Sequence, residues 1–448
     1  MVGKYRQPEF LTENDQPIYR IRCPIHGFIH YSNHERKVID HRLFRRLRFI
    51  RQLALTELIY PGAMHTRFEH SLGVMEVATK LFDNLAAKYG SQMERIFLTV
   101  AGFEKEPMAR ARQCVRLAAL LHDIGHASFS HAAEKAVNKG VGHETLTCEI
   151  VEHSEHLGGI LDEMYGEGTA TLIAQIVRGE RDLAPQLSLL HDLISGEMDA
   201  DRTDYLIRDS HHCGVDYGHF DYRRMIESIA LQENDLGGLE VALSIDGIHT
   251  FEALILARYQ MNTQVYYHRL RQLYDEYLVR YHYAMGEDIP DTAEKVIAQN
   301  DITMLARMTG DSLTDNGERS IWAKRIIRRE HHRLVHDTGV NATLNDIKKS
   351  KRVFEELEHR YPDRQFIITA PTPRIHKLPT PESKEDDKLV DLQVIGRNGR
   401  GISIGYESRI LSKVPDTFRC AQIFVDVGAE ETTLREEITT TATSIWKE

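Results

Sequence analysis

Cysteine is scarce in this sequence, and the few that occur form no pattern. Five cysteines are scattered along 448 residues, and none belongs to a CxxC pair. A disulfide framework or a thiolate zinc site would need paired or closely spaced cysteines. The sequence therefore argues against both and predicts buried, inert thiols.

Long apolar runs are missing as well. No stretch reaches the roughly 18 residues that a membrane span needs. Near the N-terminus, Lys4, Arg6 and Glu9 interrupt what would be the apolar core of a signal peptide. We therefore expect a cytoplasmic protein with no membrane partner.

An excess of basic charge is also lacking, because the formal net charge is -11. Binding to a nucleic-acid backbone normally requires a basic surface, so nucleic acid is not an expected partner. Histidine, by contrast, is abundant, with 24 residues that often stand beside acidic ones. This abundance is a first indication of metal chemistry.

The length of the chain favours one large domain with an appended lobe, or two domains. We expect a mainly α protein, with a helical domain over residues 1–335 and a smaller α+β lobe over 336–448. The first includes a hairpin at 17–31 and one long helix over 248–285, while a proline-rich, charged loop near 371–388 interrupts the second. The lobe should also contain a small sheet, formed by alternating stretches at 389–396, 401–408 and 421–428.

Four segments combine histidine with acidic residues at or near predicted helix ends. They are HTRFEHSLG (65–73), LLHDIGHASFSHAAE (120–134), GHETLT (142–147) and SGEMDADRTDYLIRDSHH (195–212). Imidazole is a softer ligand than water or carboxylate, so a mixed His/Asp set suits Mn, Fe, Ni, Co or Zn better than Mg. The segments together predict a divalent transition-metal site.

The adjacent pair His122-Asp123 is ambiguous by itself. Neighbours on a helix diverge by about 100°, and such a pair is more often a helix C-terminal histidine beside a solvated aspartate. Here the pair ends a helix predicted over 109–122, just before Gly125, where the geometry relaxes. Only the surrounding motifs favour a metal site.

The last segment places Glu197, Asp201, Tyr205 and Asp209 four residues apart, so they should line one face of a helix. A polar stripe of this kind is usually a solvated face. The tyrosine in its middle, with Arg202 and Arg208 beside it, favours the wall of a polar pocket.

Together, these motifs resemble the HD-domain superfamily, whose signature is H…HD…D on successive helices. The resemblance extends to its dNTP triphosphohydrolase branch, which includes allosteric enzymes with SAM and HD domains. It is carried by PIHGFI, RLRFIRQL, HTRFEHSLG, LLHDIGHASFSH and MDADRTDYLIRDSHH, and we expect no SAM domain ahead of them. It implies an HD-type helical fold that hydrolyses a dNTP to a deoxynucleoside and triphosphate.

The resemblance assigns residues to each part of such a site. The metal ligands would be His70, His122, Asp123 and Asp201. The substrate would contact Gln52, Leu53, Arg67, Arg202, Tyr205, Asp209, Arg258 and Tyr266. Within this set the arginines would hold phosphates, and Tyr205 and Asp209 would meet the 3′-hydroxyl of the sugar. Gln52 and Leu53 would close over the sugar and exclude a 2′-hydroxyl, and Tyr266 would crowd the ribose from the other side.

Catalysis would involve His126, His131 and His143 around the scissile phosphate. His131, oriented by Glu134, would act as the general acid that protonates the leaving 5′-oxygen. The metal would polarise the α-phosphate and activate a water, and Mg could accompany the substrate phosphates. Glu134 stands where the family has Asp, and Arg202 where it has Lys.

A nucleotide effector site is implied at Asp40, Arg45 and Arg48, although a solvated basic face also explains this run. Arg45 replaces a Gln of the family, so activation by GTP or dGTP, another effector and constitutive activity all stay open. Relatives form dimers and tetramers, so we expect a homo-oligomer. Two other interpretations remain: an HD nucleotidase or phosphodiesterase, and a catalytically silent nucleotide sensor.

Overall fold

The computed structural model describes residues 19–130, 135, 142–153, 155, 157–179, 184–234, 236–286, 290, 292–315, 317–378, 392–396 and 398–448. These residues are mostly helical with small sheets, which confirms the predicted class. None of the helices in this part of the chain combines the length and apolar character that a membrane crossing requires.

The described residues fall into two compact units. The first lies within Met1–Ala257, Pro290–Ile302 and Leu378–Lys413, and the second within Arg258–Ile289, Thr303–Lys377 and Val414–Glu448. The domain boundary predicted after residue 335 therefore falls inside a continuous segment of the second unit. Each unit is assembled from distant parts of the chain, which a linear division of the sequence cannot represent.

The helices have the following bounds: α1 Asn33–Asp40, α2 Arg42–Arg45, α3 Arg67–Phe97, α4 Pro107–Leu121, α5 His143–Glu152, α6 Gly158–Tyr165, α7 Thr169–Arg178, α8 Ser188–Ser195, α9 Ala200–Cys213, α10 Tyr222–Ser228, α11 Ile248–Met261, α12 Arg269–Met285, α13 Ala293–Ile297, α14 Asp301–Ser312, α15 Gly317–Ile327, α16 Leu344–Arg360, α17 Ile404–Glu407 and α18 Thr432–Lys447. Short 3₁₀ turns occur at Arg46–Phe49, Thr56–Leu58, Pro185–Leu187, Ile245–Gly247 and Leu411–Lys413, and a π-helical turn at Asn262–Tyr266.

The strands are β1 Tyr19–Cys23, β2 Gly27–Tyr31, β3 Ile229–Glu233, β4 Leu239–Ser244, β5 Arg333–Asp337, β6 Phe366–Thr369, β7 Gln393–Ile395, β8 Gly401–Ser403 and β9 Gln422–Val425. The antiparallel pair β1–β2 confirms the predicted hairpin. The order β3-β4-β7-β8 forms a sheet in the first unit, and β5-β9-β6 forms one in the second.

The prediction of one small C-terminal sheet was wrong. β7 and β8 extend the β3–β4 hairpin, with β7 parallel to β4, whereas β9 is the central strand between β5 and β6. Alternation marks each strand, but pairing partners are chosen by long-range packing. The predicted loop near 371–388 lies largely outside the described residues, beyond Leu378.

The predicted long helix over 248–285 is also wrong, because it is broken. α11 ends at Met261, and Tyr267 N donates to Asn262 O across the π-helical turn. α12 then starts anew, with the His268 ring accepting from the backbone N of Leu270. Hydrophobic periodicity continues across this interruption and cannot reveal it.

Two local caps place the helices that carry the candidate site. Thr66 and Glu69 form a capping box at the start of α3, which directs the first turns of this helix. At α9 the Asp199 side chain accepts from the backbone N of Arg202 at 2.6 Å. Gly214 ends this helix at φ +69°, a left-handed conformation that favours glycine.

The core of the first unit contains α3 packed against α4 and α9. The facing apolar side chains are fully buried or nearly so, including Leu72, Val74, Leu117 and Leu121. Burial of this apolar surface is what holds the three helices together. The first turns of α3 and α9 and the end of α4 are thereby brought to one place.

Candidate active site

Three helices deliver the predicted metal ligands. His70 lies in the first turn of α3, and Asp201 lies in the first turn of α9. His122 follows the last residue of α4, and Asp123 lies in the turn after it. These four residues are as much as 131 positions apart in the sequence. They come together only because the helices pack against one another.

Ligand atoms of His70, His122 and Asp201 lie close enough together to hold one metal ion, and Asp123 borders this group. Nε2 of His70 lies 3.0 Å from Oδ1 of Asp201 and 3.7 Å from Oδ2 of Asp123. Nε2 of His122 lies 3.7 Å from Oδ1 of Asp201 and 3.3 Å from Oδ1 of Asp123. Ligands that each sit about 2.0–2.2 Å from an ion are separated by distances of this order.

The histidines are oriented for such an ion. Their Nε2 atoms are buried and have no hydrogen-bond partner of good geometry among the described residues. The other ring nitrogens are engaged: Nδ1 of His122 lies 2.8 Å from the Ala119 carbonyl oxygen, and Nδ1 of His70 lies 2.9 Å from Oδ2 of Asp204. A histidine held through Nδ1 presents its Nε2 lone pair to a metal. The residues therefore fit a divalent cation.

The electrostatics of the cluster favour bound positive charge. Burial alone would lower the pKa of His70, but the carboxylates of Asp201 and Asp204 outweigh burial and raise the pKa to about 10. The pKa of His122 is likewise raised despite burial, mainly by Asp123 and Asp201. The surplus of negative charge attracts a cation, which can be a proton on imidazole or a divalent metal.

Asp123 belongs to a second group of possible ligands, together with His126 and His143. Oδ1 of Asp123 lies 3.3 Å from Nε2 of His126, and the rings of His126 and His143 stack with centroids 3.8 Å apart. These three side chains could also hold a metal ion. The structure thus brings two of the predicted catalytic histidines next to the predicted metal ligands.

Asp204 is a site residue that the sequence analysis missed. Its Oδ2 is 2.9 Å from Nδ1 of His70, and its Oδ1 is 2.6 Å from Nε2 of His26. Arg208, one turn further along α9, donates to both oxygens at 2.7 and 2.9 Å. The i, i+4 Asp–Arg pair is visible in the sequence, but it resembles an ordinary helix ion pair.

Comparison with family models gives two matches. The HD domain family matches residues 67–209, the stretch that holds His70, the His122-Asp123 pair and Asp201. This chain carries an HD domain. A second family, the HD associated region, matches residues 220–369. The resemblance to the HD-domain superfamily is thereby confirmed.

Relatives of this HD domain protein occur in distant organisms. It is 35% identical over 58% of its length to an uncharacterised protein of Methanocaldococcus jannaschii, and the match covers 48% of that protein. It is 33% identical to the deoxynucleoside triphosphate triphosphohydrolase SAMHD1 of Gallus gallus, over 46% of this chain and 35% of the relative. The chain spans about half the length of the first curated relatives it matches.

A solved structure shares the fold over nearly the whole chain. A hypothetical protein from Aquifex aeolicus superposes with a TM-score of 0.72 at 25% identity, covering 94% of this chain and 99% of that chain. The HD domain and the elements that follow it therefore recur together as one chain in another protein.

Arg67 contacts a candidate metal ligand, and Gln52 is joined to the segment that leads into α3. Arg67 is buried at the start of α3, where Nη1 binds Oδ2 of Asp123 and Nε donates to Oγ of Ser130 at 2.8 Å. Gln52 donates its backbone N to the His65 carbonyl oxygen at 3.0 Å. The Gln52 segment and the start of α3 are therefore joined.

Arg202 faces acidic groups and a carbonyl. Its Nη1 binds the Gly196 carbonyl oxygen and lies 3.4 Å from Oδ2 of Asp199 and 3.6 Å from Oε1 of Glu197. The prediction that Glu197 shares a helical face with Asp201, Tyr205 and Asp209 was wrong. The Asp199 cap starts the helix after it, so only Asp201, Tyr205 and Asp209 share the helical face.

Asp209 has a partner that the sequence did not suggest. Nε2 of His65 lies 2.7 Å from Oδ1 of Asp209, and both side chains are almost fully buried. The His65 ring stacks on the His212 ring at 4.4 Å between centroids. His212 therefore packs against the residue that holds Asp209, a predicted substrate contact.

The remaining predicted residues are placed as follows. Leu53 is buried, and Asp40, Arg45 and Arg48 are exposed, with Asp40 paired to Arg36 and Arg48 over the Phe68 ring. His131 and Glu134 lie outside the described residues. Arg258 and Tyr266 belong to the second unit, and their contact with substrate stays a prediction.

Proposed function

We propose that this protein is a metal-dependent dNTP triphosphohydrolase that releases a deoxynucleoside and inorganic triphosphate. The observation that carries the proposal is one helix, α9. It presents Asp201 to the metal group and Tyr205 and Asp209 on the same face one and two turns later. A ligand that reaches from the metal along this face would have a phosphate at one end and a sugar further along.

The similarity to relatives supports this choice of substrate. Proteins named deoxynucleoside triphosphate triphosphohydrolase from Gallus gallus, Dictyostelium discoideum and Bos taurus are 30–33% identical to the chain over 46–55% of its length. The chain has the residue types that such a substrate requires, with arginines for the phosphates and a carboxylate for a sugar hydroxyl. We extend the proposal to a homo-oligomer and to a nucleotide effector at Asp40, Arg45 and Arg48.

His70, His122, Asp123 and Asp201 would hold the ion. A divalent ion there would polarise an α-phosphate oxygen and activate water for attack at phosphorus. Imidazole ligands favour Mn, Fe, Co, Ni or Zn over Mg, while Mg could accompany the outer phosphates.

Arg67 is prearranged for phosphate binding. Its guanidinium is held by Asp123 and Ser130 before any substrate arrives, so little reorganisation is needed when a phosphate oxygen approaches. Arg202 would bind an outer phosphate. Arginine suits this task because its planar fork can donate two hydrogen bonds to one phosphate.

The sugar would lie against Tyr205 and Asp209. Asp209 would accept a hydrogen bond from the 3′-hydroxyl, with His65 holding its other oxygen. Gln52 and Leu53 would close around the ring and leave no space for a 2′-hydroxyl. This arrangement would discriminate deoxynucleotides from ribonucleotides by exclusion.

The leaving 5′-oxygen must be protonated as the phosphorus–oxygen bond breaks. We assign this proton to His131, oriented by Glu134. His126 and His143 would contact the scissile phosphate, since both lie beside Asp123. Water would then supply the new oxygen on triphosphate, and the deoxynucleoside would leave with the added proton.

The test is a product analysis. Metal-loaded protein is incubated with each dNTP and NTP, singly and in pairs, and nucleoside, monophosphate, triphosphate and pyrophosphate are separated. We expect triphosphate and deoxynucleoside from dNTPs only, and a requirement for pairs would indicate an effector. Monophosphate with pyrophosphate would contradict the proposal.

A pair of variants separates metal chemistry from contamination. Asp201→Ala should lose both metal retention and hydrolysis, because it removes a ligand atom near both histidines. Asp216→Ala, at a fully exposed position just after the same helix, is the matched control. Full activity in Asp201→Ala would rule out the assigned centre.

A further inference from the structure

Asp301 is a buried carboxylate that none of the proposed catalytic steps uses. It lies at the start of α14, is 2% exposed, and belongs to the first unit. Oδ2 accepts from the backbone N of Arg51 at 2.8 Å, and Oδ1 accepts from the backbone N of Phe129 at 2.9 Å. One side chain thus ties together two segments that are 78 residues apart in the sequence.

The first segment carries the predicted sugar contacts. Arg51 directly precedes Gln52 and Leu53. Around it, Arg67 N donates to Ile50 O at 2.9 Å, and Gln52 N donates to the His65 carbonyl oxygen at 3.0 Å. The Asp301 bond therefore holds the segment where it pairs with the residues that lead into α3.

The second segment carries the support of Arg67. Phe129 and Ser130 have φ values of +57° and +52°, a left-handed conformation that costs non-glycine residues about 1 kcal/mol or more each. Ser130 Oγ accepts from Nε of Arg67 at 2.8 Å. An acceptor for the Phe129 N–H helps to keep this turn, and with it the position of Ser130.

Arg46 links the stretch before Asp301 to the turn that follows Asp123. Its Nη2 donates to the carbonyl oxygens of Ile124 and His126 at 2.9 and 2.7 Å, and its Nη1 donates to those of Val296 and Gln299, both at 3.1 Å. The stretch before Asp301 is therefore anchored to the turn that follows Asp123. The segment that carries Asp301 is therefore itself held in place by hydrogen bonds.

We propose that Asp301 is a positioning residue for the nucleotide, which sets Gln52 and Arg67 in register by binding the Arg51 and Phe129 amides at once. The inference rests on the proposed function of the same site. A carboxylate suits this task because it offers two acceptor oxygens, whereas asparagine offers one acceptor and would turn an N–H towards the other amide. Burial raises the pKa of Asp301 to about 6, so the group is kept here at an energetic cost.

The test compares Asp301→Asn with a matched control. Asp83→Asn also removes one oxygen of a buried carboxylate that binds two donors, here Nε and Nη2 of Arg112 at 2.7 and 2.9 Å. Both substitutions should lower thermal stability, but only Asp301→Asn should weaken substrate binding. Asp301→Glu keeps both acceptor oxygens, so its KM should lie between those of wild type and Asp301→Asn.

For Asp301→Asn we expect KM for a dNTP to rise about tenfold or more, with kcat lowered much less and metal content unchanged. The dissociation constant of inorganic triphosphate, measured by calorimetry, should rise in parallel because Arg67 is displaced. Asp83→Asn should change neither constant by more than about twofold. KM and triphosphate affinity equal to wild type in Asp301→Asn would overturn the inference.

The outcomes separate the two proposals. If wild type binds triphosphate but hydrolyses no dNTP, the proposed reaction fails, and the triphosphate affinities of the variants still decide the role of Asp301. If wild type binds neither dNTP nor triphosphate, both proposals are wrong. Loss of metal from Asp301→Asn would show a general collapse of the site and would also count against a role in substrate positioning.

Discussion

Oδ2 of Asp204 lies 2.9 Å from Nδ1 of His70, and both side chains are completely buried. Burial would raise the pKa of Asp204, but Arg208 outweighs it, together with His26 and His70, and the pKa falls well below its ordinary value. An ionised Asp204 keeps the proton of His70 on Nδ1. The lone pair of Nε2 is then directed at the metal position.

Asp204→Asn should weaken metal binding by about 10–100-fold, the usual cost of losing such a partner of a ligating histidine. The amide retains one acceptor but loses the charge that favours the required tautomer. Metal affinity is measured by competition with a chelator of known affinity. Asp83→Asn is the control, and equal affinities in the two variants would refute this role.

Gly73→Ala should displace the Asp204–Arg208 ion pair that supports His70, because Gly73 of α3 faces that pair. A Cβ at Gly73 would lie 1.9 Å from Oδ1 of Asp204 and 2.5 Å from Nη2 of Arg208, so the ion pair must move. We expect a loss of about 1–3 kcal/mol in the free energy of unfolding, together with weaker metal binding. Urea unfolding and chelator competition measure the two effects.

Gly90→Ala on the same helix is the control for that substitution. Nothing lies within 4 Å of a Cβ at Gly90, so the change should be neutral or stabilising by up to about 1 kcal/mol. If both alanine variants behave alike, the close approach of α3 to Asp204 has no energetic consequence.

His65→Ala should impair recognition of the sugar without affecting the metal. His65 holds Asp209 at 2.7 Å, and without it the carboxylate is free to rotate away from a 3′-hydroxyl. We expect KM to rise several-fold for dNTPs and to change little for 2′,3′-dideoxynucleotides, which lack that hydroxyl. The exposed His211 provides His211→Ala as control. Equal effects on both nucleotide classes would contradict the pairing of Asp209 with the 3′-hydroxyl.

Glu35→Gln should destabilise the protein by about 3–5 kcal/mol, because it leaves a buried guanidinium without its counter-charge. Nε and Nη2 of Arg116 bind the two carboxylate oxygens of Glu35 at 2.5 and 2.9 Å. Burial would raise the pKa of Glu35, but Arg116 outweighs burial and lowers it below 4.5.

The same pair predicts a pH dependence with a defined sign. A carboxyl with a lowered folded-state pKa stabilises the protein fully above its unfolded pKa, and this stabilisation is lost as the pH falls through the folded value. The difference in unfolding free energy between wild type and Glu35→Gln should therefore be constant near neutral pH and shrink below about pH 4.5. A difference that does not depend on pH would exclude an ionised Glu35.

Part of the site could be predicted from local sequence because its signals are local. The HD pair before Gly125 and the spacing of Asp201, Tyr205 and Asp209 identified the segments that the structure brings together. Glu197 was misassigned because periodicity alone places it on the helical face. The Asp199 cap, also a local feature, starts the helix after Glu197. The hairpin at the N-terminus was predictable from its alternation and turn residues.

Local sequence was enough to predict the helical class and the segments that carry the candidate metal ligands, since periodicity, caps and donor chemistry act over a few residues. Long-range packing was needed to show that Asp204 and His26 support His70, that His65 holds Asp209, and that Asp301 ties two loops together. It also decided that β7 and β9 belong to different sheets. These relationships join residues tens to hundreds of positions apart, and burial in a common core, which no local pattern encodes, selects among the many possible partners.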